Sequence, residues 1–469
     1  MAQTSIKKNF AYKSALNLSS YVIGFITFPY ISRLMGAERV GLVNFVDNTV
    51  SYFLLFATLG IGLLGVREIA RVRCDERERS RVFANLLGVN LLFTLLTLVV
   101  FVAAICLVPT LRQYSDLFWV GSAKIIFSAL LVEWFFSGME NFRYITLRTV
   151  AVKLLYVVAV FLFVRRADQY PLYFILTVGV VVVNALINML YARRFVRLRL
   201  SELFSLRYLR SNCTLGVYSI MTSMYLTFNV MFLGFVAGNT EVGYYTTAFK
   251  LYTVFLGFFS AFANVMLPRM SALVADGEQE AFQTLLSKSF SAVATFSLPL
   301  IACSVVMAPQ IIYVIAGEGF AGAVVPMQIV MPALLAVGLA QILAIQILMP
   351  LKRDGVLLAA SIIGATLSVV INVVCVPHLG ATGSAVVLLA AESVVTGTYI
   401  VYVCRKQIVK IPVKRFLRSA LLTLPSVAVC VACGHYISNP FIALAVAIPL
   451  SVGCWGILNF KELRSYIGI

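Results

Sequence analysis

The chain has 469 residues, 61% hydrophobic and only 12% charged, with 37 lysines and arginines against 19 acids and a formal net charge of +18. Soluble domains carry about 25% charged and about 45–50% apolar residues, so this composition excludes a water-soluble globule and indicates an integral membrane protein. The basic residues gather between apolar segments, so the charge follows from membrane topology and attraction to anionic lipid; nucleic-acid binding is set aside.

Apolar segments long enough to cross roughly 30 Å of hydrocarbon as helices recur along the whole chain. Alternating ten-residue barrel strands are absent, which leaves an all-α bundle. The first segment, 12–32, follows Lys7, Lys8 and Lys13, is too long for a leader's apolar core and lacks a small-residue cleavage site; it is expected to stay as the first helix. It carries a polar stripe of Asn17, Ser20, Gly24 and Thr27. The second, 43–66, continues a stripe of Gly41, Asn44, Asn48 and Ser51 beside Asp47. Next come 84–108 and 116–138. The latter holds Glu133, and Lys124 on a face with Gly121, Ser128 and Gly138. Segment 145–164 places Lys153 with Thr146, Thr149 and Tyr156, and 171–192 follows. Segment 213–237 carries Ser219, Thr222, Ser223 and Asn229. In 246–268, Lys250 shares a stripe with Gly243, Thr246, Thr247, Thr253, Gly257, Ala261 and Asn264, while Tyr252, Phe255, Phe259 and Phe262 lie opposite. The remaining segments are 290–315, 324–350, 356–376, 381–404 with Glu392, 417–437 and 441–460, about fourteen in all.

An even number of spans puts both termini on one side. The clusters Arg67, Arg71, Arg73, Arg77, Arg79 and Arg81, then Arg193, Arg194, Arg197, Arg199, Arg207 and Arg210, then Arg405, Lys406, Lys410, Lys414, Arg415 and Arg418 all fall on the side of the N-terminus. The positive-inside rule makes that side cytoplasmic. Three basic residues, Lys124, Lys153 and Lys250, fall within spans and are set against two mid-span carboxylates, Glu133 and Glu392. A cation in low dielectric needs a counter-ion. Pairing of Lys124 or Lys153 with Glu133 is one outcome, and a net positive, anion-attracting interior is the other.

The chain also repeats itself. Setting Gly36 on Gly238, a shift of 202 residues, aligns "MGAERVGLVNFVDNTVSYFLLF" with "AGNTEVGYYTTAFKLYTVFLGF" and carries on to Arg67 on Arg269 and Glu76 on Glu278. Asn48 falls on Lys250. That shift contains an even number of spans, so the expectation is two six-helix lobes, 1–200 and 201–404, related by a pseudo-twofold axis along the membrane normal, plus a helix pair at 405–469.

Enzyme chemistry is poorly provided for. There is no phosphate-binding G-x-x-x-x-G-K-[ST] loop, and only His378 and His435 occur. The acids Glu38, Asp116, Asp168, Glu241 and Glu318 are scattered over short connections. A membrane polymerase or ligase needs paired acids or bases on a sizeable outer loop. Cys430 and Cys433 form a C-x-x-C inside an apolar run and read as core residues. No cofactor and no metal site is expected.

Polar stripes on four segments, 12–32, 43–66, 213–237 and 246–268, indicate a cavity rather than helix packing alone. Its candidate binding residues are Lys250, Lys124, Lys153, Asn48, Asn44, Asn17, Ser223, Asn229 and Asn264. Asp47, Glu133 and Glu392 are the candidate coupling residues.

The stretches "FPYISRLMGAERVGLVNF", "VREIAR", "LLVEWFFSGMENFRYITLR" and "MTSMYLTFNVMFLGFVAGNTEVGYYTTAFKLY" resemble the Wzx-type polysaccharide repeat-unit (O-antigen) flippases of the multidrug/oligosaccharidyl-lipid/polysaccharide exporter superfamily. The resemblance covers nearly the whole chain. It implies two six-helix lobes around a central cavity, two extra helices, and export of undecaprenyl-diphosphate-linked oligosaccharide across the bacterial inner membrane by alternating access. The polymerase and chain-length regulator of the same route are its implied partners, and a monomer its implied working unit. A cation-coupled multidrug exporter of the same superfamily is the alternative; it requires a carboxylate-lined pocket, for which Asp47, Glu133 and Glu392 are the only material.

Overall fold

The computed structural model describes residues 6–197, 200–203, 205, 207–409 and 412–460. The side chains of 6–11, 13–15, 17, 18, 20, 21, 200, 201, 214, 215, 217–219 and 221–227 lie outside that description. Among the described residues there are helices and turns and no strand. Contacts divide the chain into two compact units, 1–235 and 236–469. This partition rests on packing, whereas the expected lobes rest on repetition.

The first unit begins with α1 (Ile6–Ala57), α2 (Ile61–Val72) and α3 (Glu76–Leu107). It continues with the short α4 (Pro109–Gln113), α5 (Ser115–Ser128), α6 (Glu133–Gly138), α7 (Phe142–Phe163) and α8 (Tyr170–Ala192). The one-turn α9 (Leu200–Leu203) and α10 (Leu209–Ala237) follow, the last two residues of α10 lying past the unit boundary. The second unit contains α11 (Asn239–Ala275), α12 (Gln279–Val306), α13 (Ala308–Ala316), α14 (Val324–Val330) and α15 (Ala333–Gln341). A π-helical turn at Ile342–Leu348 leads to α16 (Asp354–Arg405), α17 (Val413–Tyr436) and α18 (Pro440–Leu458).

Among the described residues, eleven helical segments are long and apolar enough to cross a membrane. Two of them, α1 and α16, are bent where glycine leaves helical geometry, at Gly36 (φ 74°, ψ 174°) and Gly380 (φ 53°, ψ −128°). The expected segment 12–32 therefore lies in the first leg of α1, whereas 43–66 starts in the second leg and runs past a break at 58–60, where Gly60 takes φ 66°, into α2; 356–376 and 381–404 lie in the two legs of α16. Gly36 and Gly238, aligned by the sequence repeat, share one backbone conformation, since Gly238 has φ 86° and ψ 176°. A Cβ at either position meets no atom within 4 Å. The residue is thus chosen for its backbone and not for space; an L-residue there costs about 1–3 kcal/mol.

Helix ends follow their local chemistry. Asp75 caps α3 by accepting from the Arg77 and Glu78 amides, with Glu76 and Glu78 in the first turn where the dipole favours acids. Asn439 caps α18 in the same way, with Pro440 at its first position. Leu95, Leu96, Val99 and Val100 on α3 stand exposed as apolar surface, as a lipid-facing helix requires. Inside, Phe83, Trp134, Phe135 and Phe136 form the aromatic centre of the first unit's core. Met270, Phe282, Phe290 and Leu343 belong to the core of the second.

The terminal helix is joined to α12 through a proline. Pro299 has no N–H, so the carbonyl four residues earlier, on Thr295, loses its helical donor. Trp455 Nε1 on α18 donates to that carbonyl at 3.1 Å, with its ring 5.3 Å from Phe296. Trp455→Phe removes that hydrogen bond, at about 0.5–1.5 kcal/mol. Restoring the helical N–H with Pro299→Ala is expected to recover part of that loss. Thermal unfolding in detergent of the two single variants and the double checks this: strictly additive midpoints disprove the coupling.

Candidate functional site

In the first unit the intramembrane charges form two ion pairs at different depths. The first pair joins Asp47, near the middle of the second leg of α1, to Lys124, four residues before the end of α5. Lys124 Nζ lies 2.6 Å from Asp47 Oδ1 and donates to Ser51 Oγ at 3.2 Å. Their side chains keep 14% and 31% of their exposure, so the pair is largely but not wholly desolvated. Asn44 and Asn48 stand half-buried on the same leg, each donating its amide to the carbonyl four residues earlier, at 2.8 Å. Across from them, the Tyr156 hydroxyl on α7 and Thr177 Oγ1 on α8 are 3.5 Å apart. Tyr156 and Tyr173 are close enough to Asp47 to feel its charge.

The second pair sits at a break in the helix. Between α5 and α6 the chain leaves helical geometry at 129–132, and Val132 takes φ 38°, a costly value for a β-branched residue. The break frees carbonyls inside the unit, and buried asparagines cap them. Asn90 Nδ2 on α3 donates to Ala129 O at 3.4 Å, and Asn188 Nδ2 on α8 donates to Leu131 O. Asn188 Oδ1 in turn accepts from the Tyr144 hydroxyl at 3.0 Å. Immediately after the break, Glu133 Oε1 accepts from Arg148 Nη2 on α7 at 2.9 Å. Arg148 Nη1 reaches toward Asn184 O at 3.5 Å. Its guanidinium lies 5.9 Å from the Tyr144 ring centroid. This is the basic end of the unit, because Glu140 beside the start of α7 pairs with Arg73 at 2.7 Å.

These contacts resolve the pairing question. Lys124 takes Asp47 rather than Glu133, and Glu133 takes Arg148 while also acting through space on the half-buried Lys153. Arg148 is the residue that sequence reasoning missed. It falls close to the expected start of its span, is not among the three basic residues placed within spans, and is buried. The available signal was its spacing of 15 residues from Glu133, across a connection too short to hold either charge away from the helices. With Asp47 and Arg148 added, and Lys13, Asp116 and Arg418 at the very ends of their segments left aside, the span charges become Lys124, Arg148, Lys153 and Lys250 against Asp47, Glu133 and Glu392, a positive excess of one.

In the second unit, Lys250 is half-buried on α11, and Thr253 donates to its carbonyl at 2.7 Å. Thr246 and Thr247 are buried and donate back to Val242 O and Gly243 O. Tyr245, Phe249 and Tyr252 stack along the helix, with both tyrosines buried. On the aromatic face opposite the Lys250 stripe, Tyr252 is therefore buried. Asn264 is exposed, and Glu392 is buried on the second leg of α16. Asn229, on α10 of the first unit, is buried. The side chains of Asn17 and Ser223 lie outside the described residues. Gln346 is another polar group not anticipated from sequence; it is fully buried in the π-helical turn. The cavity reading of the stripes joins groups from both units and stays an expectation. No group of three or more histidine, cysteine or acidic residues able to hold a metal occurs among the described residues.

A family model described as "Polysaccharide biosynthesis protein" matches residues 6–274. A curated relative from Escherichia coli (strain K12), named "Putative O-antigen transporter", is 23% identical over 409 residues, covering 85% of this chain and 97% of its own length. A second relative of the same name, from Shigella dysenteriae, is 24% identical over 397 residues, covering 82% and 97%. Among solved structures, the lipid II flippase MurJ in an inward closed conformation aligns with a TM-score of 0.79 at 14% identity, over 97% of this chain and 99% of that one. An inward-facing multidrug resistance MATE family transporter of the MOP superfamily aligns with a TM-score of 0.61 at 15% identity, over 87% and 96%. At these identities the likeness to solved structures is one of fold: an all-α, multi-pass membrane transporter fold.

Removing one partner of a desolvated pair leaves the other uncompensated, which costs about 3–5 kcal/mol when burial is complete and less here. Lys124→Met is therefore expected to lower the unfolding midpoint more than the double variant Asp47→Asn, Lys124→Met. Thermal melts in one detergent decide it; a double variant less stable than Lys124→Met shows that the pair is not the reason.

Proposed function

The chain belongs to the polysaccharide biosynthesis protein family, and on that premise we propose that it is a flippase. It moves an undecaprenyl-diphosphate-linked oligosaccharide, an O-antigen or related repeat unit, from the cytoplasmic to the periplasmic leaflet of the bacterial inner membrane by alternating access. The names of the two relatives and the likeness to a lipid II flippase fold support this reading. The observation that carries it is the charge distribution. Two of the three span carboxylates are held by cations, Asp47 by Lys124 and Glu133 by Arg148, and the spans retain a positive excess.

A diphosphate crossing hydrocarbon needs cations and hydrogen-bonding groups along its path, because an unpaired charge in low dielectric is costly. Lys250, Lys153 and Lys124 supply cations; Asn44, Asn48, Asn229, Asn264 and, from the sequence stripes, Asn17 and Ser223 supply groups for sugar hydroxyls. A drug exporter that takes cations needs accessible carboxylates. At rest Asp47 and Glu133 each neutralise a cation of this chain, so neither is spare for a cationic drug, which disfavours that alternative. Coupling to protons, where present, falls to Glu392, buried on α16, or to Asp47. The pathway's polymerase and chain-length regulator are the expected partners, and a single chain the working unit.

If Lys250 attracts diphosphate or acidic sugar, charge matters more than shape. Lys250→Arg is expected to retain part of the surface polysaccharide in a strain lacking the gene. Lys250→Ala should lose most of it, and Lys250→Glu all of it, at equal membrane levels. Wild-type polysaccharide from Lys250→Ala would sink the role given to this residue.

Orientation has its own test. Cys74 and Cys404 are exposed beside basic loops, and Ser438 is exposed at the opposite end of α17 from its basic start. A membrane-impermeant thiol reagent outside intact spheroplasts is expected to label Ser438→Cys and to leave Cys74 and Cys404 untouched. The reverse pattern inverts the topology.

A further inference from the structure

We propose that Arg148 is a diphosphate receptor that Glu133 occupies at rest and vacates when substrate arrives. The proposal rests on the flippase reading for its ligand and on the asymmetry of this pair for its mechanism. The Arg148 side chain keeps 4% of its exposure and the Glu133 side chain keeps 50%. The carboxylate has open space to swing into, whereas the guanidinium stays buried and must find another anion.

The guanidinium is also underused. Of its five donors, one N–H makes a close contact with Glu133 and another a long one with Asn184 O. Nε is buried with no partner among the described residues. Beside Arg148 in sequence, Thr149 Oγ1 is buried and unpartnered in the same sense, as is Asn184 Oδ1 on α8. A carboxylate held through one oxygen leaves the planar fork half satisfied. A phosphoryl group offers oxygens on two sides and can take the vacant donors in bidentate fashion.

The remaining contacts keep the receptor in place while its anion changes. Tyr144 lies under the guanidinium and is itself fixed by Asn188, and Asn188 also caps the carbonyl freed at the helix break. Glu133 is the first residue after that break, so its backbone is not locked into the α5 ladder. The exchange discriminates by charge. A neutral sugar cannot replace the carboxylate without stranding the buried cation, whereas a diphosphate can. The site lies at the arginine-rich end of the unit, on the expected cytoplasmic side, where a lipid-linked diphosphate enters.

The test uses the full chain in nanodiscs of neutral phosphatidylcholine, with geranyl diphosphate as probe and geraniol as control. Glu133→Gln keeps the shape and releases the fork, and should bind geranyl diphosphate roughly tenfold tighter than wild type, the scale of one additional charge-assisted hydrogen bond. Its unfolding midpoint should start below wild type and rise further with the probe. Inorganic pyrophosphate should reproduce the tightening and geraniol should not. Arg148→Lys, which keeps the charge without the fork, should weaken the probe, and adding Arg148→Met to Glu133→Gln should erase the gain. Should Glu133→Gln fail to fold, Glu133→Asp serves, with a smaller gain in the same direction. Unchanged or weaker binding in the folded Glu133 variant overturns the receptor, as does tightening by geraniol. The transport reading fails separately, if the wild-type chain restores no surface polysaccharide to a strain lacking the gene.

Discussion

A charge removed from water must meet an opposite charge or be neutralised, and that requirement organises the first unit. Asp47 and Lys124 satisfy it between α1 and α5, and Glu133 and Arg148 satisfy it at the basic end. Each pair joins two helices: α1 to α5 in one case, and the start of α6 to α7 in the other. Because lipid offers no competing hydrogen bonds, the geometry of these pairs largely decides which faces of α5 and α7 turn inward.

The same scarcity of water governs the backbone. Wherever a helix breaks, the freed carbonyls need donors, and the fold supplies them from neighbouring helices. Asn90 and Asn188 serve the break at 129–132, and Trp455 serves Thr295 below Pro299. At the kink of α16, Glu241 Oε2 accepts from the Ala381 amide at 2.7 Å, and a Cβ on Gly380 would lie 2.4 Å from that oxygen. Glu241 thus has a structural task, which sequence alone showed only as a stray acid on an outer connection. Irregular backbone at membrane depth persists only where such partners exist, so breaks mark positions that the rest of the unit is built to hold.

What was legible in the sequence was whatever depends on one helix at a time. Span positions follow from hydropathy, and the turn conformation shared by Gly36 and Gly238 was foreshadowed by a repeat that aligned them. Pairings were less legible because they join residues far apart in the chain. Lys124 and Asp47 are 77 positions apart, and nothing along the sequence prefers Asp47 over Glu133 as the partner. The break before Glu133 was hidden by its composition, since 116–138 reads as one apolar run and contains no proline. Arg148 was misjudged because hydropathy windows blur span ends by several residues, and several residues separate a solvated arginine from a buried one. For Asn17 and Ser223, only their place on a stripe is known.

Under the proposed flippase function, two ion pairs of unequal exposure suit a protein that binds an anion and then releases it. A pair closed on both sides resists exchange, because both charges are desolvated and mutually satisfied; a lone buried cation binds its anion too well to let it go. The Lys124–Asp47 pair, with both side chains mostly but not wholly covered, lies nearer the first character and joins α1 to α5. The Arg148–Glu133 pair lies between the extremes, since the resident carboxylate competes with any arriving phosphoryl group and returns when it departs. Competition of this kind lowers affinity without lowering selectivity for charge, because every occupant must still neutralise the same guanidinium. Under the proposed function, the exchangeable carboxylate would keep the anion from being trapped at the first cation it meets.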